Sequence, residues 1–277
     1  MKFTKMQGCG NDYVYVNCFN ETIDDRPALS RLVSNRNFGV GSDGLICICP
    51  SQIADFKMDM YNADGSASPM CGNGIRCVGK YLFDRGIVPK TEMTIETASG
   101  VKSLKLYSFG GEVRSVRVNM GRAELHPEKI PIKLDGERII NRVVEISDGK
   151  YCINCVSMGN PHCVVFCGRV DRVDLPKLGP LFENDPLFPD RVNTEFVRII
   201  NRNTLKMRVW ERGNGETPAC GTGACAAVVA AVEMGLCAKG EDVTVKVRGG
   251  ELIVNYTDEA VFLTGNAKLV FEGSVEF

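Results

Sequence analysis

The chain has 277 residues, of which 44% are hydrophobic and 24% are charged. This length is sufficient for two domains, and this composition is typical of a folded globular protein and excludes a disordered one. The formal net charge is -1 and no basic run occurs, so the charge pattern favours neither a nucleic acid nor an anionic membrane as partner. We therefore expect a small-molecule partner.

The sequence also indicates a compartment. The opening stretch MKFTKMQG lacks the apolar run of a signal peptide, and no segment of the sequence is apolar over the length of a membrane span. We therefore expect a cytoplasmic protein. Thirteen cysteines is a high and odd count. Without an export signal this count predicts reduced thiols, most of them buried as small hydrophobic residues.

The predicted elements of the first half are mostly strands. β-rich runs occur at residues 13–16, 45–49, 58–61, 103–107 and 113–118. A short helix is predicted near Pro27, with Asp25 as its cap. A longer helix is predicted to begin at Cys71 and to end at Gly86, because glycine commonly terminates helices in a left-handed conformation.

The second half follows the same order. Its β-rich runs occur at residues 163–166, 195–199, 205–210, 252–256 and 261–263. A short helix is predicted near Pro176 with Asp174 as its cap, and a longer one from Cys220 to Gly235. Each half therefore has the same predicted set of elements.

An internal repeat explains this agreement. Cys71 and Cys220 lie 149 positions apart, the difference between their numbers, and many other residues match at the same offset. The matches in the first half are Gly10, Asn11, Asp25, Pro27, Leu29, Leu32, Met58, Pro69, Gly72, Gly74 and Gly86. Matches of rare residues in one order at one offset indicate a duplicated domain.

The long helices predict the core of each half. Residues 224–232 are apolar on nearly all sides, which is typical of a helix enclosed by the rest of its domain. Val78, Leu82 and Phe83 mark an inner face on the other long helix. The pattern predicts an α/β (α+β) fold, with a curled sheet around one central helix in each of two halves, and argues against a parallel dinucleotide-binding sheet.

The repeated cysteines have the chemistry of an acid–base pair. A cysteine at a helix start lies against backbone N–H groups and the positive end of the helix dipole, which favour a thiolate. The glycines that follow each cysteine allow close approach of a ligand carboxylate. If the halves face each other, Cys71 and Cys220 would reach one substrate from two sides. Such a pair suits inversion at a carbon with an acidic hydrogen, with one thiolate and one thiol at rest and no cofactor.

Several longer motifs resemble the diaminopimelate epimerase family. They are GCGNDY, NADGSASPMCGNGIRC, MGNPHC, VNTEF and WERGNGETPACGTGAC, and they occur in the family's order across most of the chain. The resemblance implies cofactor-independent interconversion of L,L- and meso-diaminopimelate in lysine and peptidoglycan-precursor biosynthesis. It also implies two pseudo-symmetric domains, each a β-barrel-like sheet around a central helix, and a homodimer. Residues 1–121 with 266–277 would form the first domain and residues 122–265 the second, with the active site in the cleft between them.

The same resemblance implies the roles of individual residues. Cys71 and Cys220 match the catalytic pair, and His162 and Glu211 match two residues that modulate the pKa values of this pair. The matching substrate-binding positions are Asn11, Asn62, Gly72, Asn73, Asn160, Asn193, Glu211, Arg212, Gly221 and Thr222. The chain departs from the family at Gly44, where some members have a substrate-contacting Gln, and at Phe271, where some have a Tyr at the dimer contact. No metal ligand is expected.

Other interpretations remain open at this stage. Cys152 and Cys155 form a Cys-x-x-Cys motif, but no second pair with zinc-site spacing occurs. His126 is interpreted as a surface residue.

A proline racemase or hydroxyproline epimerase shares the two-cysteine chemistry, although that family usually has His where this chain has Asn73. Phenazine-biosynthesis-like isomerases lack the cysteine pair, and a non-enzymatic thiol or metal-binding protein is the third alternative.

Overall fold

A computed structural model describes residues 1–276 of the chain. Its α-helices are α1 (Arg26–Ser34), α2 (Gly72–Asp84), α3 (Leu175–Glu183) and α4 (Gly221–Glu233). Its strands are β1 (Lys2–Gly8), β2 (Asn11–Asn17), β3 (Gly44–Cys49), β4 (Phe56–Asn62), β5 (Ala67–Ser68), β6 (Glu92–Thr97), β7 (Gly100–Phe109), β8 (Glu112–Gly121), β9 (Arg142–Ile146), β10 (Gly149–Ser157), β11 (Pro161–Phe166), β12 (Asn193–Asn201), β13 (Thr204–Glu211), β14 (Gly215–Thr217), β15 (Asp242–Val247), β16 (Gly250–Tyr256), β17 (Val261–Gly265) and β18 (Lys268–Ser274). Short 3₁₀ helices occur at Pro127–Lys129 and Val170–Arg172.

The chain forms two compact units. The first contains Met1–Asn119 and residues 264–276, and the second contains Met120–Leu263. These boundaries lie two residues before the boundaries expected from the sequence. Strand β18 pairs antiparallel with β1, so the end of the chain completes the first unit.

The helices follow the sequence repeat without a shift. Helices α1 and α3 begin and end at positions related by the offset of 149, and so do α2 and α4. Asp25 caps α1 by accepting from the N–H of Ala28 at 2.9 Å, and Asp174 caps α3 by accepting from the N–H of Lys177 at 3.4 Å. The predicted helices and their caps are confirmed.

The strands of the two units pair in the same order. In the first unit β1–β2 is antiparallel, β2–β3 parallel, β3–β4 antiparallel, β4–β6 parallel and β6–β7 antiparallel. In the second unit β10–β11, β11–β12, β12–β13, β13–β15 and β15–β16 repeat these orientations. The additional strand β9 pairs with β10 as β18 pairs with β1. The predicted α/β fold class with a duplicated sheet is confirmed.

A long helix forms the centre of each unit. All residues from Ala224 to Ala231 in α4 are fully buried, and α4 packs against β10 to β13, β15 and β16. Helix α2 packs against β1, β2 and β7, with Val78 and Leu82 fully buried and Phe83 half-buried at the edge of this face. Among the described residues, no helix combines the length and apolar character needed to cross a membrane.

Glycines end both central helices. Gly86 has a φ of +66° and Gly235 has a φ of +72°, which are left-handed values. Residues with a Cβ rarely adopt this conformation, so glycine at these positions stops each helix. The predicted helix ends are confirmed.

Candidate active site

Each of the two repeated cysteines is the N-cap of a central helix. Cys71 precedes α2 in an extended conformation, and its Sγ accepts a hydrogen bond from the N–H of Gly74 at 3.3 Å. Cys220 precedes α4 in the same way, and its Sγ accepts from the N–H of Gly223 at 3.4 Å. An N–H donor at the sulfur stabilises a negative charge on it, so both positions suit a thiol that gives and takes a proton.

In the first unit, Asn11 connects Cys71 to an acidic residue. The Oδ1 of Asn11 lies 3.1 Å from Cys71 Sγ and 3.4 Å from Asn73 Nδ2. The Nδ2 of Asn11 donates to Asp43 Oδ2 at 2.7 Å. Three residues predicted for the site, Asn11, Cys71 and Asn73, therefore lie together, and Asp43 fixes which way the Asn11 amide points.

Asn62 is the last residue of β4 and lies opposite Gly44, the position at which the chain departs from the family pattern. Its Nδ2 donates to Ser66 Oγ at 3.0 Å. A Cβ at Gly44 would lie 2.1 Å from the backbone oxygen of Tyr61 and 3.0 Å from Tyr13 Cε1. No side chain fits at position 44 with this backbone, so the glycine is a structural requirement here.

In the second unit, Cys220 is only 6% exposed and lies among acidic groups. Burial raises the pKa of the Cys220 thiol well above its usual value, and the charges of Glu211 and Glu195 raise it further. Burial also raises the pKa of the Glu211 carboxyl, whose Oε1 accepts a hydrogen bond from Thr217. Burial and these two acidic neighbours therefore favour the protonated form of the Cys220 thiol.

His162 is fully buried on β11 between two oxygen atoms. Its Nδ1 lies 2.7 Å from Glu195 Oε1, and its Nε2 lies 3.0 Å from Asn160 Oδ1. Asn160 Nδ2 donates to Thr222 Oγ1 at 3.4 Å, and Thr222 Oγ1 lies 3.4 Å from Cys220 Sγ. A continuous set of polar contacts thus joins Glu195 to the cysteine.

Asn193 and Arg212 lie next to this set. Asn193 is opposite His162 in the β11–β12 register and donates to the backbone oxygen of Pro161 at 2.8 Å. Its Oδ1 accepts from the backbone N–H of Arg212 at 3.0 Å. The Arg212 guanidinium donates to the backbone oxygen of Asp190 at 2.8 Å. These contacts hold Asn193 at the start of β12 and Arg212 directly after β13.

The structure separates the remaining motif residues from these two clusters. Cys152 and Cys155 lie three residues apart on β10, so their side chains point to opposite faces of the sheet and do not form a ligand pair. His126 is exposed before the first 3₁₀ helix, as expected. Within residues 1–276, no group of three or more His, Cys, Asp and Glu side chains is arranged to hold a metal ion.

Sequence reasoning missed four polar residues near the predicted ones: Asp43, Arg76, Glu195 and Thr217. Arg76 is fully buried and donates to the Gly72 backbone oxygen and to Asn73 Oδ1, each at 2.9 Å. The internal repeat contained a signal for two of them. At the repeat offset, Arg76 corresponds to Cys225 and Glu195 corresponds to Ile46. At each of these two positions, only one half of the chain has a charged residue.

Comparisons with known proteins identify the family of the chain. A family model described as diaminopimelate epimerase matches residues 3–126 and 154–270. Diaminopimelate epimerase of Acetivibrio thermocellus is 52% identical over 100% of this chain and 99% of its own length, and that of Methanococcus maripaludis is 48% identical over 100% of both. A probable proline racemase from Agrobacterium radiobacter has the same fold, with a TM-score of 0.72 at 16% identity over 99% of this chain and 92% of its own. The chain therefore belongs to the diaminopimelate epimerase family.

Proposed function

We propose that this protein interconverts L,L- and meso-diaminopimelate without a cofactor, using Cys71 and Cys220 as acid and base. Its full-length relatives are epimerases by name, and the chain is an isomerase of their family. The observation that carries the proposal is the duplicated N-cap geometry, in which each cysteine sulfur accepts a backbone N–H at 3.3 or 3.4 Å. By this activity the protein would serve lysine and peptidoglycan-precursor biosynthesis.

The proposed reaction moves two protons. One sulfur, as a thiolate, takes the α-proton from one face of the carbon, and the electron pair of the broken C–H bond delocalises into the α-carboxylate. The second sulfur, as a thiol, donates its proton to the opposite face, and a new C–H bond forms with inverted configuration. After each turnover the thiol and thiolate have exchanged places. The substrate carboxylate is the only electron sink that these steps require.

We assign the resting thiol to Cys220. Burial and the nearby Glu211 and Glu195 charges raise the pKa of Cys220, which keeps its proton in place before substrate binds. Cys71 is half-buried and is then the group that accepts the first proton. Two thiolates on one carbon would repel each other, so one proton shared by the pair is the favoured state.

The polar residues around each cysteine are proposed to hold the substrate. First-turn N–H groups of a helix have no acceptor within that helix, so the starts of α2 and α4 can bind the α-carboxylate at which charge develops. This assignment uses the backbone of Gly72, Asn73, Gly221 and Thr222. The amino and carboxyl ends of the substrate are assigned to Asn11, Asn62, Asn160, Asn193, Glu211 and Arg212.

We also propose a cytoplasmic homodimer. Leu269, Val270 and Phe271 on β18 are 46%, 53% and 44% exposed, which is a run of apolar surface typical of an interface. The ring of Phe271 packs edge-on against Phe3 at 6.0 Å between centroids. Sedimentation of the wild-type protein beside Phe271→Glu tests the dimer, because a charge at a buried interface should shift the variant to a monomer.

The activity is tested by incubating reduced protein with pure L,L-diaminopimelate and separating the isomers by chiral chromatography. The proposal predicts approach to a mixture with the meso isomer, without added metal or pyridoxal phosphate. Cys71→Ala and Cys220→Ala should each fail to produce the meso isomer. A wild-type protein that is folded and fully reduced, yet leaves L,L-diaminopimelate unchanged, would refute it.

A further inference from the structure

Glu195 is a buried carboxyl group for which the packing of the fold gives no reason. It lies on β12 and is fully buried, and its Oε2 has no hydrogen-bond partner among the described residues. Burying a carboxylate is unfavourable unless a partner compensates for the lost hydration. The partner within hydrogen-bond distance is His162, whose Nδ1 is 2.7 Å from Glu195 Oε1.

The duplicated half shows that the same place in the fold accepts a hydrocarbon side chain. At the repeat offset, Ile46 corresponds to Glu195 and Tyr13 to His162. A Cβ added at Gly74 would lie 2.6 Å from Ile46 Cδ1, and one added at Gly223 would lie 2.5 Å from Glu195 Oε1. Both side chains therefore pack under the first turn of a central helix, where the first half uses Ile. A carboxylate in the second half is a choice that packing does not dictate.

The hydrogen bonds of the His162 ring assign a task to this carboxylate. An ionised Glu195 can only accept, so Nδ1 of His162 must carry a proton. The other nitrogen, Nε2, is then turned toward Asn160. If Asn160 Oδ1 faces Nε2, it accepts a hydrogen bond from a second ring proton. If the Asn160 amide is rotated by half a turn, its NH₂ group donates to an unprotonated Nε2. In either case Glu195 determines the ring orientation and the position of the Nδ1 proton.

We propose that Glu195 is a positioning residue for the epimerisation, which holds His162 with a proton on Nδ1 and directs Nε2 toward Asn160. This inference rests on the proposed function, in which Asn160 binds substrate and Cys220 is an acid. Glu195 reaches both through His162, because Asn160 contacts Thr222 and Thr222 contacts Cys220. Among the described residues, Glu211, Cys163 and Cys220 also interact electrostatically with Glu195, and Glu211 does so with His162.

Nuclear magnetic resonance can read the His162 ring directly, because the chain has only two histidines and His126 is exposed. Protein labelled with ¹⁵N-histidine gives two sets of ring signals, which a His126→Asn variant assigns. In the wild-type protein we expect a protonated Nδ1 on His162. Glu195→Ile, which copies the first half, should abolish this preference. Glu195→Gln should retain it in part, because an amide oxygen still accepts.

The kinetic effect should follow the same order. We expect kcat to fall about 10- to 100-fold in Glu195→Ile and less in Glu195→Gln, with KM changed less than about threefold. Glu195→Ile should unfold at a lower temperature than the wild type, because it leaves the buried Nδ1–H of His162 without an acceptor, so rates are measured well below both melting temperatures. The matched control is Thr194→Val. Thr194 is the neighbouring, fully buried residue whose Oγ1 has no hydrogen-bond partner in the described part of the chain, so this change should preserve both kcat and the His162 signals.

The two proposals fail in different ways. Unchanged His162 signals in both Glu195 variants, or changed signals with wild-type kcat, would overturn the role of Glu195. A loss of kcat in Thr194→Val equal to that in Glu195→Ile would also overturn it, because the effect would then belong to the strand. Wild-type protein without activity on L,L-diaminopimelate would overturn the proposed function instead, while the ring signals would still show whether Glu195 orients His162.

Discussion

Cys71 and Cys220 occupy the same position in two copies of one helix, and the sulfur of each accepts a hydrogen bond from the N–H three residues later. Serine can make the same cap, but its hydroxyl is a far weaker acid than a thiol. We therefore expect Cys71→Ser and Cys220→Ser to retain their helical content and to lose epimerase activity by about 10²- to 10⁴-fold. Circular dichroism and the isomer assay measure the two effects.

A cysteine outside the two clusters provides the control for these changes. Cys167 directly follows β11 and is half-buried like Cys71, so Cys167→Ser removes a thiol of the same burial class. Its activity should match that of the wild type. Retention of activity in either Cys71→Ser or Cys220→Ser would argue against a paired thiol mechanism.

The raised pKa of Cys220 predicts slow alkylation. Only the thiolate reacts rapidly, and burial raises the pKa of this thiol well above its usual value. With iodoacetamide near pH 7.5, Cys220 should react at least about tenfold more slowly than half-buried Cys152, which serves as the reference. Peptide mass spectrometry follows each site. Equal rates would mean that Cys220 is already ionised or open to solvent.

The pKa of Glu211 predicts how stability depends on pH. Burial raises this pKa above the unfolded value of 4.5, so the protonated carboxyl favours the folded state. That contribution is present below pH 4.5 and is lost as the pH rises through the pKa of the folded protein. Glu211→Gln cannot ionise. The melting temperature of this variant minus that of the wild type should therefore increase from pH 4 to pH 7.

Glu216 provides a control of opposite sign. A hydrogen bond from Arg208 lowers the pKa of Glu216, so its stabilising contribution is present above pH 4.5 and is lost as the pH falls through the lowered value. The melting temperature of Glu216→Gln minus that of the wild type should therefore decrease from pH 4 to pH 7. Calorimetry at pH 4 and pH 7 measures both differences in melting temperature. A change in the same direction for both variants would contradict the prediction.

Asp43 is predicted to act through Asn11. Its Oδ2 accepts from Asn11 Nδ2 at 2.7 Å, so Asp43→Ala releases the amide that lies 3.1 Å from Cys71 Sγ. We expect kcat/KM to fall about 10- to 100-fold, the range for losing a hydrogen bond to a charged group. Asp171→Ala, which removes an exposed ion pair with Lys206, should remain within about twofold. Unchanged kinetics in Asp43→Ala would remove Asp43 from the site.

The two helix-ending glycines predict matched losses of stability. A Cβ at Gly86 or Gly235 would meet no atom within 4 Å, so the cost of alanine comes from the left-handed backbone alone. Each Gly→Ala variant should lose about 1 kcal/mol of unfolding free energy, with additive effects in the double variant. Denaturant titration measures this, and a loss at only one position would show that the two helix ends differ in strain.

The sequence repeat predicted the helices and the cysteine positions because these features depend on local residue patterns. Asp25, Asp174 and the glycines after each cysteine determine where a helix starts, and they recur at one offset. The motif residues His162 and Glu211 were found by family resemblance. Their partners were not, since the His162–Glu195 contact depends on the parallel pairing of β11 with β12.

Differences between the halves contained the remaining information. Glu195 matches Ile46 and Arg76 matches Cys225, so a search for identical residues passes over both. A buried charge in one copy where the other has an apolar residue identifies a position that packing alone does not explain. The burial of these residues, which makes them informative, is visible only in the folded protein.

The central claim is that two different sulfurs act on opposite faces of one carbon. Its most direct test is to follow L,L-diaminopimelate in D₂O during the first few per cent of turnover, with separation of the two isomers and mass analysis of each. Two acid–base groups predict deuterium at the α-carbon of the meso product while the remaining L,L substrate stays largely unlabelled. Label appearing in substrate and product at equal rates would indicate a single base, and unlabelled meso product would contradict proton transfer from either thiol.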